Sequence, residues 1–139
     1  MSKKTIDLSC PCGSDKHYKA CCGIYHTGEA APTAEALMRS RYTAYVLKLE
    51  DYLLQTWHAD TRPAALNLNV DSAIKWIDLQ INHTETFEST ATVDFTARYK
   101  ISGKAKKMRE VSQFLLVESR WFYLTGIDPD IDSNADNKI

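Results

Sequence analysis

The order of patterns along this 139-residue chain predicts an α+β fold: helices packed on a curved, mainly antiparallel sheet, with a small cysteine knuckle ahead of them. Three observations carry the prediction. Apolar residues recur at helical spacing over 33–49. From about residue 73 the period shortens to two, and β-branched and aromatic residues alternate with turn signals up to 127. All four cysteines fall in one stretch, Cys10-Pro11-Cys12-Gly13-Ser14-Asp15-Lys16-His17-Tyr18-Lys19-Ala20-Cys21-Cys22-Gly23.

Residues 1–9 read as a polar lead-in, 1–23 as the knuckle with that lead-in, and 24–32 as a linker ending in Pro32. Thr33 is placed to cap a helix in which Leu37, Tyr42, Tyr45, Val46 and Leu49 repeat and Ala34, Ala36, Ala44 and Lys48 favour the conformation. A second short helix is expected from Glu50 to Trp57. His58 to Pro63 reads as a turn, and Pro63 suits the first position of another short helix. In the first strand Trp76, Asp78, Gln80 and Asn82 alternate with Ile77, Leu79 and Ile81. Phe87 to Ile101 is the second, closed by Ser102-Gly103. Lys107 to Glu118 is the third and Trp121 to Ile127 the fourth. The main domain is expected over 33–128, and 129–139 reads as a flexible acidic tail.

Composition narrows the function classes. Hydrophobic residues make up 44% and charged residues 25%, ordinary for a globular domain. A net charge of −1 gives no global field to attract nucleic acid or an anionic membrane. No apolar run approaches the roughly 20 residues of a membrane span. The polar start, Met1-Ser2-Lys3-Lys4-Thr5, lacks the apolar centre of a signal peptide, so a cytoplasmic location is expected. Thiols are kept reduced there.

Three readings of the cysteines compete. As core residues they have polar neighbours, Ser14, Asp15, Lys16 and Lys19, and little apolar material beside them. As disulfides they lack a C-x-x-C, sit in a reducing compartment, and include an adjacent pair whose bond would be strained. The reading favoured is one structural zinc ion, because zinc accepts four thiolates in a tetrahedron and Cys10, Cys12, Cys21 and Cys22 form two pairs across a short loop. Gly13 and Gly23 would let the backbone turn tightly. Four thiolates leave no open coordination position, so the site is expected to fold the knuckle and not to catalyse.

The Cys-Pro-Cys-Gly-Ser opening, the eight residues between Cys12 and Cys21, and the Cys21-Cys22-Gly23 close resemble a SEC-C motif. Leu37-Met38-Arg39-Ser40-Arg41-Tyr42-Thr43-Ala44-Tyr45, Asp51-Tyr52-Leu53, Thr56-Trp57-His58, Phe95-Thr96-Ala97-Arg98-Tyr99 and Trp121-Phe122-Tyr123-Leu124-Thr125-Gly126 resemble the YchJ family, also called UPF0225. The resemblance spans Cys10 to about Asp128. It implies a cone-shaped nuclear transport factor 2-like (SnoaL-like) domain behind a zinc knuckle. Thr125 stands where the family usually has Asp, and Gln113 where it tends to have Arg.

Two surfaces are candidate sites. The basic turn Lys16, His17, Tyr18 and Lys19 would dock a protein or ribonucleoprotein partner. The cone would be lined by Arg41, Tyr42, Tyr45, His58 and Arg98, and would take a small molecule. One of Arg39 and Arg41 is expected to pair with Glu110, and Asp94 to face solvent. No nucleophile, phosphate loop, dinucleotide fingerprint or catalytic metal motif is present. The favoured function is a non-enzymatic zinc-binding adaptor. The alternatives are an isomerase-, dehydratase- or hydrolase-like enzyme using the cone with His58 or a nearby carboxylate as base, and a weak single-strand nucleic-acid binder through Lys16, Tyr18 and Lys19. Cone-fold domains often pair through the sheet, so a homodimer is expected to be possible.

Overall fold

A computed structural model of the chain describes residues 9–68 and 74–129. A 3-10 turn, Tyr18–Ala20, leads into α1 (Cys22–His26), α2 (Ala34–Leu47) and α3 (Glu50–Gln55). Four strands follow: β1 (Ile74–Phe87), β2 (Thr90–Ile101), β3 (Lys104–Val117) and β4 (Arg120–Ile127). They form one antiparallel meander in the order β1-β2-β3-β4. This is the predicted α+β class, helices on a curved antiparallel sheet. Among the described residues no helix is long and apolar enough to cross a membrane. The lead-in up to residue 8, the predicted strand start at 73 and the tail from 130 lie outside the described residues.

α2 organises the molecule. The Thr33 hydroxyl accepts the Ala36 amide at 3.0 Å, the expected cap. The helix stops at Lys48, which adopts a left-handed φ of 61° and returns its amide to Ala44 and Tyr45. Leu37, Met38 and Tyr42 join Val93, Phe95, Ala97 and Phe114 of the sheet in one apolar cluster. The polar residues of the same helix are buried as well, Ser40, Arg41 and Thr43. That is tolerable because each finds a partner: no covered side-chain nitrogen or oxygen among the described residues lacks a hydrogen bond. α2 is sandwiched, with the knuckle on one side and the sheet on the other.

β2 shows the expected period of two. Ala91, Val93, Phe95 and Ala97 point inward, while Thr92, Asp94, Thr96 and Arg98 face out. Asp94 is on the solvent side, as expected, and its carboxylate takes the Arg109 guanidinium at 2.7 Å. Asp78 pairs with Arg98 in the same way. Hydrogen bonds from the arginines hold both carboxyls below the usual range. The pairs are solvated and contribute little to stability.

Four element expectations are corrected. The stretch read as linker opens with α1, and His26 at its end donates from Nε2 to the Ser40 carbonyl at 2.9 Å, tying it to α2. No helix forms at Pro63: the amides of Leu66 and Leu68 donate to the Glu50 carboxylate at 3.0 and 3.3 Å, and those bonds hold the segment as a loop. Phe87 ends β1 and does not begin β2, because Glu88-Ser89 makes a tight turn with Glu88 at φ 56°. Lastly, a bulge between Trp76 and Asp78 changes the phase of β1, so Trp76 packs inward with Leu79 and Ile77 is exposed.

Candidate functional site

The knuckle is a hairpin closed on itself. Ser9 bridges His17, the Cys10 amide donates to the Lys16 carbonyl at 2.8 Å, and the Gly13 amide donates to the Cys10 carbonyl at 3.1 Å. Gly13 is left-handed, φ 85°, as a turn this tight requires. Gly23 serves a different purpose: a Cβ there would lie 2.8 Å from the Tyr18 carbonyl oxygen, so it lets α1 tuck under the 3-10 turn.

These turns bring the four sulfurs together. Cys10, Cys12, Cys21 and Cys22 place their Sγ atoms within 4.8 Å of one another. The Cys12 and Cys21 sulfurs are 3.6 Å apart, far beyond an S–S bond of about 2.05 Å. All four are free thiols. A tetrahedron of thiolates with Zn–S bonds of about 2.3 Å has edges of about 3.8 Å, so the donor set fits one such ion. Cys10, Cys12 and Cys22 are buried, and Cys21 is half-buried.

The expectation that little apolar material surrounds these cysteines is corrected. Cys10, Cys12 and Cys22 belong to the same cluster as Leu37, Met38 and Tyr42. Three side chains of α2 and the loop set the surroundings. The Thr43 hydroxyl donates to the Cys22 sulfur at 3.3 Å, and the Ser14 hydroxyl meets Cys21 at 3.1 Å. Arg39 donates to the Cys12 carbonyl at 2.8 Å while paired with Glu35. Hydrogen bonds to Cys10 and Cys12, together with burial, push the Cys22 thiol up. Without a cation the four sulfurs cannot all be anionic at this spacing.

Of the proposed docking turn, Lys16, His17 and Lys19 are exposed. Tyr18 is turned inward. Its hydroxyl donates to His26 Nδ1 at 2.6 Å, and burial raises its pKa. Burial also lowers the His26 pKa, so the imidazole is neutral and both of its nitrogens are used.

The second site is a cavity of about 260 Å³ between α2 and the inner face of the sheet. Arg41, Tyr42 and Tyr45 line it, as expected; burial raises the Tyr42 pKa to about 12. His58 and Arg98 do not. The His58 amide donates to the Tyr123 carbonyl at 2.7 Å, its Nδ1 accepts from Asp60, and its ring stands against Phe122. Arg98 is on the outer face with Asp78. Glu110, Ser112 and Tyr123 also line the cavity; Glu110 is expected from the sequence only as an arginine partner, Tyr123 only as part of the closing family-like stretch, and neither as a cavity residue. Their signal was the inward parity of Glu110, Ser112 and Phe114 on β3, with Gly126 opposite Ser112.

The anticipated arginine–Glu110 pair does not form. The Glu110 Oε2 instead accepts the Ser112 hydroxyl at 2.6 Å and the Tyr123 hydroxyl at 3.2 Å. Its carboxylate occupies the space that Gly126 leaves: a Cβ there would sit 1.9 Å from Oε2 and 2.8 Å from Cγ. Gly126→Ala is therefore expected to expel the carboxylate and cost about 2 kcal/mol through the lost hydrogen bonds. In a Glu110→Ala background the same change should cost less than about 0.5 kcal/mol. Denaturant unfolding of the four chains checks this; equal losses in both backgrounds would show that the clash is not the cause.

Residues 33–126 match the family model described as YchJ, middle NTF2-like domain, and residues 9–24 match the SEC-C motif. A UPF0225 protein of Chromobacterium violaceum is 49% identical over 132 residues, covering 91% of this chain and 97% of its own. One from Bordetella parapertussis is 48% identical over 122 residues, covering 85% and 91%. The solution structure of a SEC-C motif containing protein from Rhodopseudomonas palustris superposes with a TM-score of 0.78 at 33% identity, covering 86% of this chain and 98% of that one. A crystal structure of another from Psychrobacter arcticus gives 0.71 at 24% identity, covering 87% and 83%, a likeness of fold.

Proposed function

The chain belongs to the YchJ family, with a SEC-C motif ahead of an NTF2-like domain, and from that premise we propose that it is a zinc-stapled, non-enzymatic cytoplasmic adaptor. The observation that carries the proposal is the closed donor set: four thiol sulfurs within 4.8 Å, three of them buried in the core. Cys10, Cys12, Cys21 and Cys22 would hold one zinc ion, and the metal would supply cohesion and no open coordination position. Its four thiolates would give the site a formal charge of −2, which Lys16, Lys19 and Arg39 offset.

The hairpin then fixes Lys16, His17 and Lys19 on an exposed turn whose geometry does not depend on the partner. A turn of this charge fits an acidic surface on a protein or ribonucleoprotein. Tyr18 supports the turn from beneath through His26, so it is not a contact residue in this proposal. His58 faces away from the cavity, so the enzymatic alternative keeps only a nearby carboxylate as its base, Glu110, which Ser112 and Tyr123 already hydrogen-bond.

The test is a double charge reversal, Lys16→Glu with Lys19→Glu, in the full chain. Zinc content should stay at about one ion per chain, and the thermal midpoint should fall by only a few degrees, the cost of reversing two solvated charges that offset the thiolates. Proteins recovered with the tagged chain and identified by mass spectrometry should drop at least tenfold for the specific partner set. An identical partner set would remove the docking role from this turn.

A further inference from the structure

The cone cavity has two unlike ends, and we infer that it binds a flat, neutral molecule of one or two rings whose polar edge carries adjacent N–H and C=O groups, a lactam or cis-amide. This inference does not rest on the docking proposal. The apolar end is walled by Met38, Tyr42, Tyr45, Trp76, Phe95 and Met108. Tyr42 and Tyr45 pack against the Trp76 ring at 5.8 and 6.3 Å, inclined by 73° and 53°, so this end is walled by aromatic faces and edges that an aromatic body can meet edge-to-face. An apolar cavity of about 150 Å³ accommodates benzene. By that measure about 260 Å³ takes two fused rings.

The polar end decides the chemistry. Arg41 and Glu110 both face the cavity, yet they form no ion pair with each other among the described residues. Arg41 uses Nη1 for the Leu53 carbonyl and the Thr56 hydroxyl, at 2.8 and 2.7 Å. Its Nε and Nη2 have no hydrogen-bond partner among the described residues, although the residue is only 2% exposed. No fully covered side-chain nitrogen is left unpaired, so these N–H groups open on the cavity. Glu110 Oε2 is taken by Ser112 and Tyr123, and Oε1 has no partner among the described residues.

The cavity therefore offers a spare donor and a spare acceptor, oppositely charged. A ligand carboxylate would meet Glu110, and a ligand ammonium would meet Arg41. Both are disfavoured where the medium is this apolar. A neutral edge that donates to Oε1 and accepts from the guanidinium satisfies both groups without adding charge.

The probes are 2-quinolinone, its N-methyl derivative and naphthalene, titrated into the full zinc-containing chain. Intrinsic tryptophan fluorescence, to which Trp76 in the cavity wall contributes, and amide shifts report occupancy. The expected result is saturable binding of 2-quinolinone, weakened about tenfold or more by N-methylation, because a charge-assisted hydrogen bond is lost. Glu110→Gln should weaken 2-quinolinone about tenfold and leave naphthalene unchanged. Equal binding of 2-quinolinone and naphthalene would overturn the assignment, leaving only an apolar cavity. So would no saturable binding of 2-quinolinone up to its solubility limit. The N-methyl contrast is read in the wild-type chain, so it decides the matter even if the Gln variant folds poorly.

Discussion

Cys12→Ser is expected to abolish metal retention and lower the thermal midpoint by more than about 10 °C. Cys12 is fully buried at the centre of the cluster, with its sulfur 3.6 Å from that of Cys21. A serine hydroxyl does not ionise near neutral pH, so the tetrahedron loses a corner and the remaining three thiolates hold a metal less tightly. The loss extends beyond the hairpin. Cys10, Cys12 and Cys22 pack with Leu37, Met38 and Tyr42, and Thr43 hydrogen-bonds to Cys22, so one face of α2 is built on the knuckle. A structural zinc in a small domain supplies apparent binding free energy of about 10–16 kcal/mol, and part of it is folding free energy. In wild-type protein a metal at about 1,000 times its Kd adds about 4 kcal/mol. Elemental analysis should give about one zinc per wild-type chain and none for the variant. Thermal unfolding with and without chelator provides the second readout. A wild-type midpoint indifferent to a strong chelator would show that the fold does not lean on the metal.

This dependence also explains which parts were legible. The cysteine cluster was readable because its ligand spacing is local: two pairs and one loop contain all the geometry. The cap at Thr33 and the strand β4 were readable for the same reason. What failed depended on partners distant in sequence. The bulge after Trp76 changes which residues of β1 face the core, yet nothing in Trp76-Ile77-Asp78 announces it. The turn at Glu88-Ser89 uses a left-handed glutamate where a glycine or asparagine would have been the signal. The loop after Pro63 follows a carboxylate sixteen residues back from Leu66.

The same division runs through the candidate sites. Arg41, Tyr42 and Tyr45 were found because the helical period puts them on neighbouring faces of α2. Glu110 and Tyr123 are named in the sequence for other reasons, and their convergence with Ser112 at the cavity depends on the β3–β4 register and the space above Gly126. His58 looked chemically poised in its local context. Its ring is held by the amide of Asp60 and stands against Phe122, a contact sixty-odd residues away that its own stretch of sequence does not show.

Arg41→Ala is expected to destabilise the domain by about 4 kcal/mol, the range seen when a buried charged or aromatic-stacked group is removed. The guanidinium sits 4.4 Å from the Tyr123 ring centroid and 5.0 Å from that of Trp57. Its Nη1 satisfies the Leu53 carbonyl at the end of α3, a six-residue helix with no basic residue in its last turn. A cation there also opposes the negative end of the helix. The surrounding backbone depends on the same place: Trp57 bridges Tyr123, and the Tyr123 amide donates to the Thr56 carbonyl at 2.8 Å. Burial lowers the Arg41 pKa, which marks the desolvation that these contacts must offset. Three substitutions separate the contributions. Arg41→Ala removes packing, hydrogen bonds and charge together. Arg41→Lys keeps the charge but neither stacks as a plane nor reaches both acceptors, and should cost about 2 kcal/mol. Arg41→Met keeps volume while leaving the Leu53 carbonyl with only the longer 3.3 Å bond from the Thr56 hydroxyl and Glu110 without its nearby cation, and should also cost about 2 kcal/mol. Denaturant unfolding at constant zinc ranks them. A methionine variant as stable as wild type would mean that the charge is dispensable for the fold, and that Arg41 is retained for what enters the cavity.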